Sequence, residues 1–362
     1  MSKNKNNLYW FISVPAEGNK SVVFQNLKSK LTSVEFAEVY QFIIPEFKIG
    51  TLDNLVVISD EFVKYDQSFE SVTMKIVDIL RSLLKGDTDQ IEANLIVNDK
   101  SIDQYLTTFQ WNTMKFRADK SLSAIAEKLN EVMTTIENLM KAKSAHYNQI
   151  KGNLQVLERK QTGNFAVRDL AGFVKKEHFV LDSEYLETLL VAVPKNLYKE
   201  WHSKYETITQ MIVPRSSQVS EEFANKCREE KFIVRDFKYN EDEMANHRKE
   251  FEEVGATEKE LWTSLLRLAT TNFGEVFASW IHLKVLRVYV ESVLRYGLPP
   301  DFMSAIIKPK SKMEKKIREI LNTQYGKYGG ALGNESSKVE NIEEFHNLVD
   351  KDYYPYVFTM IE

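Results

Sequence analysis

Apolar residues are densest along residues 280–302, WIHLKVLRVYVESVLRYGLPPDF. Few positions between 281 and 296 are polar, so a helix here is apolar around most of its girth and must be enclosed by other elements. Gly297 predicts a left-handed cap, and Pro299 and Pro300 cannot continue a helix. The pattern therefore predicts a buried helix with a sharp end, and by itself it predicts no function.

A second long helical pattern occupies residues 119–160, where Gly152 is the single glycine and there is no proline. Its apolar positions alternate steps of three and four, which is typical of a coiled-coil seam. These positions are Leu122, Ile125, Leu129, Val132, Ile136 and Leu139. Lys143 and His146 occupy the next positions, where a polar residue sets register. Such a helix measures about 60 Å, so we expect it to protrude from a small lobe.

The seam needs a partner, and residues 241–296 contain a second long apolar stripe. Gly255 and Gly274 lie within this tract and are expected positions of bending. We therefore expect the two tracts to form an antiparallel pair.

Shorter patterns precede the first long helix. Residues 8–14, 39–44 and 55–58 are rich in β-branched and aromatic residues between turn signals, which predicts three strands. Helical spacing then begins at Phe69, and Gly86 is placed to close that helix. The N-terminal part is therefore predicted to mix helices and strands.

Residues between the two long tracts are numerous enough for a small lobe. The run LLVAV at 189–193 and the run FIVRDF at 232–237 predict strands, and residues 195–205 predict a helix between them. This lobe is inserted between the outgoing and returning helices.

The chain then returns to the first lobe. Apolar spacing over residues 313–321 predicts a short helix, residues 325–334 a glycine-rich loop, and residues 352–361 a final strand.

These patterns predict a helix-rich α+β protein, an elongated dumbbell with a discontinuous foot, a long antiparallel two-helix coiled-coil neck and a small inserted α/β head. A chain of 362 residues exceeds what one core usually holds. The predicted segments are the N-terminal part of the foot (1–118), the first neck helix (119–160), the head (161–240), the second neck helix (241–284) and the C-terminal part of the foot (285–362).

Composition narrows the class of protein. A net charge of −4 with 28% charged residues argues against nucleic acid as the main partner. The single cysteine, Cys227, cannot form an internal disulfide, which favours a reducing compartment and a cytoplasmic location. The apolar run at the start is too short for a secretory signal, and no run approaches the ~20 residues that span a bilayer. Any membrane role is therefore expected to be peripheral.

Catalytic and metal motifs are not evident. The six histidines form no HExxH motif and no pair on one helix face, so neither a metal nor another cofactor is expected. The loop GKYGGALGN lacks the GK[ST] ending of a phosphate loop and favours a flexible turn. Neighbouring carboxylates such as Glu221 and Glu222 favour a solvated helix face. We therefore expect no catalytic residue.

The densest local charge is a basic run after residue 307. It contains Lys308, Lys310, Lys312, Lys315, Lys316 and Arg318. One interpretation is a contact with an acidic protein surface, with filamentous actin or with a membrane surface. The other is the solvated face of a short helix and loop. The candidate partner-binding residues taken from this run are Lys308, Lys310 and Lys312.

Several long strings together resemble the C subunit of the V-type proton-pumping ATPase (V-ATPase). They are IPEFKIGTLDNLV (44–56), FQWNTMKF (109–116), FVLDSEYLETLLVAVPKNL (179–197), KFIVRDF (231–237), the stretch 280–302 and DYYPYVF (352–358). The resemblance is colinear over nearly the whole chain.

The resemblance implies a non-catalytic stator subunit that links the ATP-hydrolysing sector to the membrane sector and takes part in reversible assembly. It implies that the head binds one stalk made of the E and G subunits, and that the foot contacts a second stalk and the cytoplasmic domain of the a subunit. It also implies a peripheral position on the cytosolic face of acidic organelle membranes, such as the vacuole and endomembranes.

One segment departs from the family pattern. Between Val213 and Phe232 the chain is shorter than in the family, where a further pair of strand-like runs is usual. We expect an intact foot and a trimmed head, with an exposed sheet edge or weaker stalk binding as the consequence.

Two further hypotheses remain open. The runner-up function is a pump-independent, actin-binding coiled-coil scaffold, and an enzyme is third. On the helix of residues 280–302, Lys284, Arg287, Glu291 and Arg295 follow steps of three or four. We predict that they share one solvated or partner-facing stripe, with Arg287 and Arg295 as candidate binding residues.

Overall fold

The computed structural model describes residues 8–33, 35–162, 164, 168, 170, 173–180, 183, 188–209, 217–328 and 354–361. The elements in chain order are β1 (Tyr9–Pro15), α1 (Lys20–Thr32), β2 (Ala37–Gln41), α2 (Leu52–Leu83), α3 (Thr88–Asn94), β3 (Ile96–Val97), β4 (Lys100–Ser101), α4 (Ile102–Thr107), α5 (Leu122–Thr162), β5 (Leu190–Ala192), α6 (Tyr198–Thr209), α7 (Ser217–Glu229), β6 (Ile233–Arg235), α8 (Glu241–Tyr296), β7 (Phe302–Pro309), α9 (Glu314–Tyr325) and β8 (Val357–Ile361). The helix-rich α+β class is confirmed.

The chain divides into two compact units. Unit 1 comprises Met1–Ala142 and Leu266–Glu362, and unit 2 comprises Lys143–Leu265. Helices α5 and α8 each contribute residues to both units. The predicted division into foot, neck and head, with its dumbbell shape and coiled coil, stays a prediction.

Unit 1 contains a four-stranded antiparallel sheet in the order β2-β7-β1-β8. Ile12 of β1 lies opposite Ala305 of β7 on one side and Phe358 of β8 on the other. Alternate residues of β1 face a core that α1 and α9 complete through Leu27 and Ile317. The intervening residues are also buried, so β1 and β7 are covered on both faces. Strand β7 was not predicted because its apolar run does not alternate.

Helix α2 corrects one sequence prediction. The expected strand at residues 55–58 lies inside α2, where the side chain of Thr51 accepts a hydrogen bond from Asn54 N and caps the helix. Leu55, Ile58 and Phe62 are buried at helical spacing. The strand prediction was wrong because the β-branched residues beside Leu55 lie on the opposite, exposed side of a helix.

The buried face of α5 also differs from the predicted seam. Its buried residues are Leu122, Ile125, Ala126, Leu129, Met133, Ile136, Met140 and Tyr147. Leu139 is 38% exposed and His146 is exposed, so these two seam positions were wrong. Met140 and Tyr147 take their places because a helix with a period of 3.6 residues moves away from a strict heptad by about 20° every two turns, and this drift accumulates along α5.

Helix α8 confirms the buried helix with which the sequence pattern began. Between residues 276 and 293 most side chains are fully buried. Gly297 has a φ of +86°, as expected for a left-handed cap. Gly274 does not interrupt the helix; a Cβ there would lie 2.7 Å from the backbone oxygen of Ile96. This glycine permits the β3–β4 hairpin to approach α8 closely.

Unit 2 contains a two-stranded antiparallel sheet in which Leu190 of β5 lies opposite Arg235 of β6. Both strands were predicted, and α6 confirms the intervening helix. Helix α7 agrees with the helical charged run expected around Glu221 and Glu222, and it occupies much of the shortened segment between Val213 and Phe232. Residues 213–216 of that segment lie outside the described residues.

The C-terminal elements agree with the sequence where they are described. Helix α9 and strand β8 were both expected. The predicted glycine-rich loop beyond residue 328, and residues 352 and 353 of the predicted strand, lie outside the described residues.

Candidate functional site

A charged cluster joins α2 to α8 inside unit 1. Asp66 lies on the buried face of α2 and accepts three hydrogen bonds from α8 side chains. The donors are Trp280 Nε1 at 2.7 Å, Lys284 Nζ at 2.8 Å and Arg287 NH1 at 2.9 Å. These donors follow steps of four and three, so they lie on one face of α8.

Lys284 extends this cluster to the last strand. Its ammonium group also donates to the carbonyl oxygen of Met360 at 3.1 Å and to Thr359 Oγ1 at 3.3 Å. Residue Lys284 is only 5% exposed. The prediction that Lys284 belongs to a solvated or partner-facing stripe was therefore wrong. The lysine binds the edge of β8, which connects the end of the chain to both helices.

The two predicted arginines of α8 are held by neighbours within the chain. Arg287 forms a second ion pair through Nε with Glu291 at 2.8 Å, in addition to its bond to Asp66. Arg295 donates from NH1 to the carbonyl oxygen of Tyr354 at 2.6 Å. Both arginines thus secure contacts within unit 1, and their role in binding a partner stays a prediction.

The basic run begins within β7. Lys308 Nζ lies 2.5 Å from Asp103 Oδ1 and 5.6 Å from the centre of the Tyr9 ring. The Tyr9 hydroxyl donates to the same carboxylate at 2.5 Å. Burial, together with the neighbouring Asp103, raises the pKa of the Tyr9 hydroxyl. This phenol therefore stays protonated and donates its hydrogen bond throughout the physiological pH range.

The rest of the run divides between internal contacts and solvent. Lys316 lies over the ring of Phe36, and the Arg318 guanidinium packs against Trp10, Tyr354 and Phe358. Lys310, Lys312 and Lys315 are exposed. Lys310 pairs with Glu35, which is 85% exposed, so this bond lies in solvent and is weak.

A buried histidine lies near the start of the stretch 280–302. Three aromatic rings surround His282; their centres lie 5.2 Å (Phe109), 4.8 Å (Trp111) and 4.9 Å (Phe116) from its own. His282 Nδ1 lies 2.6 Å from Ala278 O, and Nε2 accepts from Asn112 N at 3.1 Å. One donor and one acceptor require a neutral ring.

Burial lowers the pKa of His282 to about 4, in agreement with a neutral ring. The three enclosing rings belong to the string FQWNTMKF (109–116), so the aromatic side chains of this string pack against α8 at His282.

The described residues contain no cluster of His, Cys, Asp or Glu with the geometry of a metal site. Cys227 is fully buried, and burial raises the pKa of its thiol, which lowers its reactivity. Over the part of the chain that the structure describes, no helix has the length and apolarity needed to cross a bilayer.

Of the five candidate residues, β7 and the turn after it bring together Lys308, Lys310 and Lys312, while α8 carries Arg287 and Arg295 separately. Sequence reasoning missed Asp66. The sequence contained one indication of this residue: Asp66 lies between Phe62 and Phe69 on an apolar helix face, where a carboxylate needs a buried partner.

The fold and these clusters define a helix-rich α+β protein in which charged groups tie long helices to a small antiparallel sheet. The family model for the V-ATPase C subunit matches residues 9–357 of this sequence. The chain belongs to the V-ATPase C subunit family.

Curated relatives agree with this assignment. The chain is 40% identical over 373 residues to the V-type proton ATPase C 1 subunit of Xenopus laevis, covering 98% of this chain and 97% of that protein. It is 39% identical to the V-type proton ATPase C subunit of Manduca sexta and 40% identical to the C 1 subunit of Bos taurus, with the same coverage. The alignments are longer than the 362 residues of this chain, so they include positions that this chain lacks. That the missing positions fall between Val213 and Phe232 stays a prediction.

Proposed function

We propose that this chain is a non-catalytic stator subunit of the vacuolar-type proton-pumping ATPase. It links the ATP-hydrolysing sector to the membrane sector through the peripheral stalks and takes part in their reversible assembly. The observation that carries the proposal is membership of the V-ATPase C subunit family over residues 9–357.

The long helices support a mechanical role. Helix α8 has 56 residues and α5 has 41. At 1.5 Å per residue these correspond to about 84 Å and 61 Å of continuous helix. A helix resists stretching because each turn is held by backbone hydrogen bonds, and resistance to strain is what a linkage under rotary torque requires.

The Asp66 cluster supports the same role at one end of α8. A tensile load on α8 is transmitted to α2 through Lys284 and Arg287 and to β8 through Met360 O. The cluster is buried, so its bonds are screened little by salt. We infer that it anchors α8 in unit 1 while the pump turns.

The proposed partners are the E and G stalk subunits and the cytoplasmic domain of the a subunit. The protein acts on the cytosolic face of acidic organelle membranes through this complex. Lys310 and Lys312 are the candidate contacts best supported by the structure, because both are exposed. Arg287, Arg295 and Lys308 contribute indirectly, by holding the elements that carry the binding surfaces.

A binding experiment tests the proposal. The full chain, tagged at one end, is mixed separately with purified E–G heterodimer and with the purified cytoplasmic domain of the a subunit. We expect saturable binding to both. Restoration of ATP-driven proton pumping by membranes depleted of their own C subunit provides the functional readout. Failure to bind either partner and failure to restore pumping would refute the stator role.

The same titration tests the trimmed head. We expect weaker E–G binding than that of a chain in which the segment between Val213 and Phe232 is replaced by the longer segment of a relative. Equal affinities would refute the claim that the shortening weakens stalk binding.

A further inference from the structure

We propose that an exposed stripe along α2 binds an amphipathic helix with basic flanks from another protein of the pump. This inference rests on the proposed function and specifies one contact within it. The α2 stripe consists of Leu52, Val56, Asp60, Val63, Gln67, Glu70 and Met74.

The spacing places these residues on one side of the helix. Successive members are separated by four, four, three, four, three and four residues, as in the seam of a helix pair. Residues Leu55, Phe62, Phe69 and Ile76 point into the core from the other side. The stripe spans 22 residue steps, or about 33 Å. A partner helix of about six turns therefore matches its length.

Four members of the stripe are large apolar side chains exposed to solvent. Leu52 is 59% exposed, Val56 52%, Val63 37% and Met74 50%. Single exposed apolar residues are common, but an aligned series on one helix is typical of a binding surface. Apolar anchors at such intervals are how a helix is recognised by another helix.

The charges on α2 specify the kind of helix. Asp60 and Glu70 lie within the stripe, and Asp53 and Glu61 lie on α2 as well. Between residues 52 and 74, Lys64 is the only basic residue. The next cation, Lys75, is already paired with Glu137 of α5 at 2.6 Å. The surface is therefore apolar and acidic, and a partner with lysine or arginine beside its apolar residues is complementary.

The same charges disfavour two other occupants. Two copies of the stripe placed against each other would oppose acidic residues with acidic residues, which costs affinity. An anionic membrane surface would repel Asp60 and Glu70 in the same way. An amphipathic helix with basic flanks can bury the apolar residues of the α2 stripe and pair with its acidic residues at the same time.

The test compares variants of the full chain in titrations against purified E–G heterodimer and against the purified cytoplasmic domain of the a subunit. The disruptive variant is Val56→Asp/Val63→Asp. The charge variant is Asp60→Lys/Glu70→Lys. The matched control is Met114→Asp, because Met114 is 95% exposed but lies outside α2. All substituted side chains are solvent-exposed, and unchanged circular dichroism melts check that folding is preserved.

We expect the disruptive variant to lose about tenfold or more in affinity for one of the two partners, and the control to bind as the wild type does. We expect the charge variant to bind that partner more weakly at low salt and to approach the wild type as salt rises, because screening removes the charge contribution. Equal affinity of wild type and disruptive variant for both partners would overturn the α2 proposal and leave the stator role intact. Absence of wild-type binding to both partners would refute the stator role itself.

A cross-linking experiment identifies the occupant. Cys227 is fully buried, so Val63→Cys introduces the accessible thiol to which a photoactivated cross-linker is attached. We expect the cross-linked peptide to come from a helix of the partner with lysine or arginine flanking its apolar face. Cross-links only to a second copy of this chain, or none above those of Met114→Cys, would overturn the proposal.

Discussion

Asp66 on α2 and Lys284 on α8 form a buried ion pair, with 2.8 Å between Oδ2 and Nζ. The two side chains are 8% and 6% exposed. The same carboxylate also binds Arg287 and Trp280, so one anion satisfies two cations and an indole. Arg287 keeps its ion pair with Glu291, but removal of Asp66 leaves the buried Lys284 without a compensating charge, which costs far more than the net stability of the pair.

Asp66→Ala is therefore expected to destabilise unit 1 by about 3–5 kcal/mol. Urea unfolding followed by far-UV circular dichroism measures the change. The control is Asp78→Ala, which removes an exposed pair with Arg81 and should cost less than about 1 kcal/mol. Adding Lys284→Met to Asp66→Ala should restore part of the stability, because one unpaired cation is removed. If the single variant is no less stable than the Asp78→Ala control, the cluster does not anchor α8.

The buried His282 predicts a specific dependence of stability on pH. Its folded pKa is about 4, below the ordinary value of 6.5, so the unfolded chain binds a proton that the folded chain does not. Its stabilising contribution is complete above about pH 6.5 and is lost as the pH falls towards 4. Between these two pH values, the slope of the free energy of unfolding against pH reaches about 1.4 kcal/mol per pH unit.

His282→Gln isolates this contribution, because glutamine does not titrate. We expect the free energy of unfolding of the wild type to exceed that of the variant at pH 7, and the gap to narrow as the pH is lowered to 4.5. His146→Gln makes the same substitution at an exposed position and serves as the control. A gap that does not change with pH would contradict a neutral, buried His282.

Two glycines on the long helices are predicted to respond in opposite ways to alanine. In Gly274→Ala the new Cβ would meet the backbone oxygen of Ile96 at 2.7 Å, and a backbone atom cannot rotate away. We expect a loss of about 1–3 kcal/mol. In Gly152→Ala nothing lies within 4 Å of the new Cβ, so the helix should gain about 0.5–1 kcal/mol. Thermal unfolding of both variants measures the difference, and equal melting temperatures would mean that the β3–β4 hairpin moves aside freely.

The sequence predicted the buried helix α8 and the strand β1, but it missed the strand β7 and led to a strand prediction for residues 55–58 of α2. The bounds of α8 and the left-handed Gly297 were predicted because a long apolar tract ends at a glycine and two prolines. Strand β7 was missed because its apolar residues do not alternate with polar ones. Its formation as a strand depends on pairing with β1, which is far away in the sequence.

The polar clusters were harder to predict for the same reason. Lys284 was predicted from its helical spacing to face solvent or a partner protein, but its side chain binds Asp66, 218 residues away. The sequence pattern of one helix shows which residues share a face, and it does not show what that face meets. Lys310 and Lys312 are exposed at the turn that follows β7, and their role in binding a partner stays a prediction.

These two lysines give the last prediction, which concerns binding. Lys310→Glu/Lys312→Glu should leave the melting temperature nearly unchanged, since both lysines are exposed and Lys310 pairs with the exposed Glu35. If the basic run contacts an acidic surface of the pump, the variant should bind E–G heterodimer or the cytoplasmic domain of the a subunit several-fold more weakly at low salt, and as the wild type does at high salt. The control Lys141→Glu/Lys143→Glu makes the same change of charge at exposed positions of α5. Co-sedimentation with filamentous actin, measured in parallel, separates the two interpretations of the run. Weakened actin binding with unchanged affinity for both pump partners would assign Lys310 and Lys312 to a filament contact, and no change in any assay would assign them to solvent.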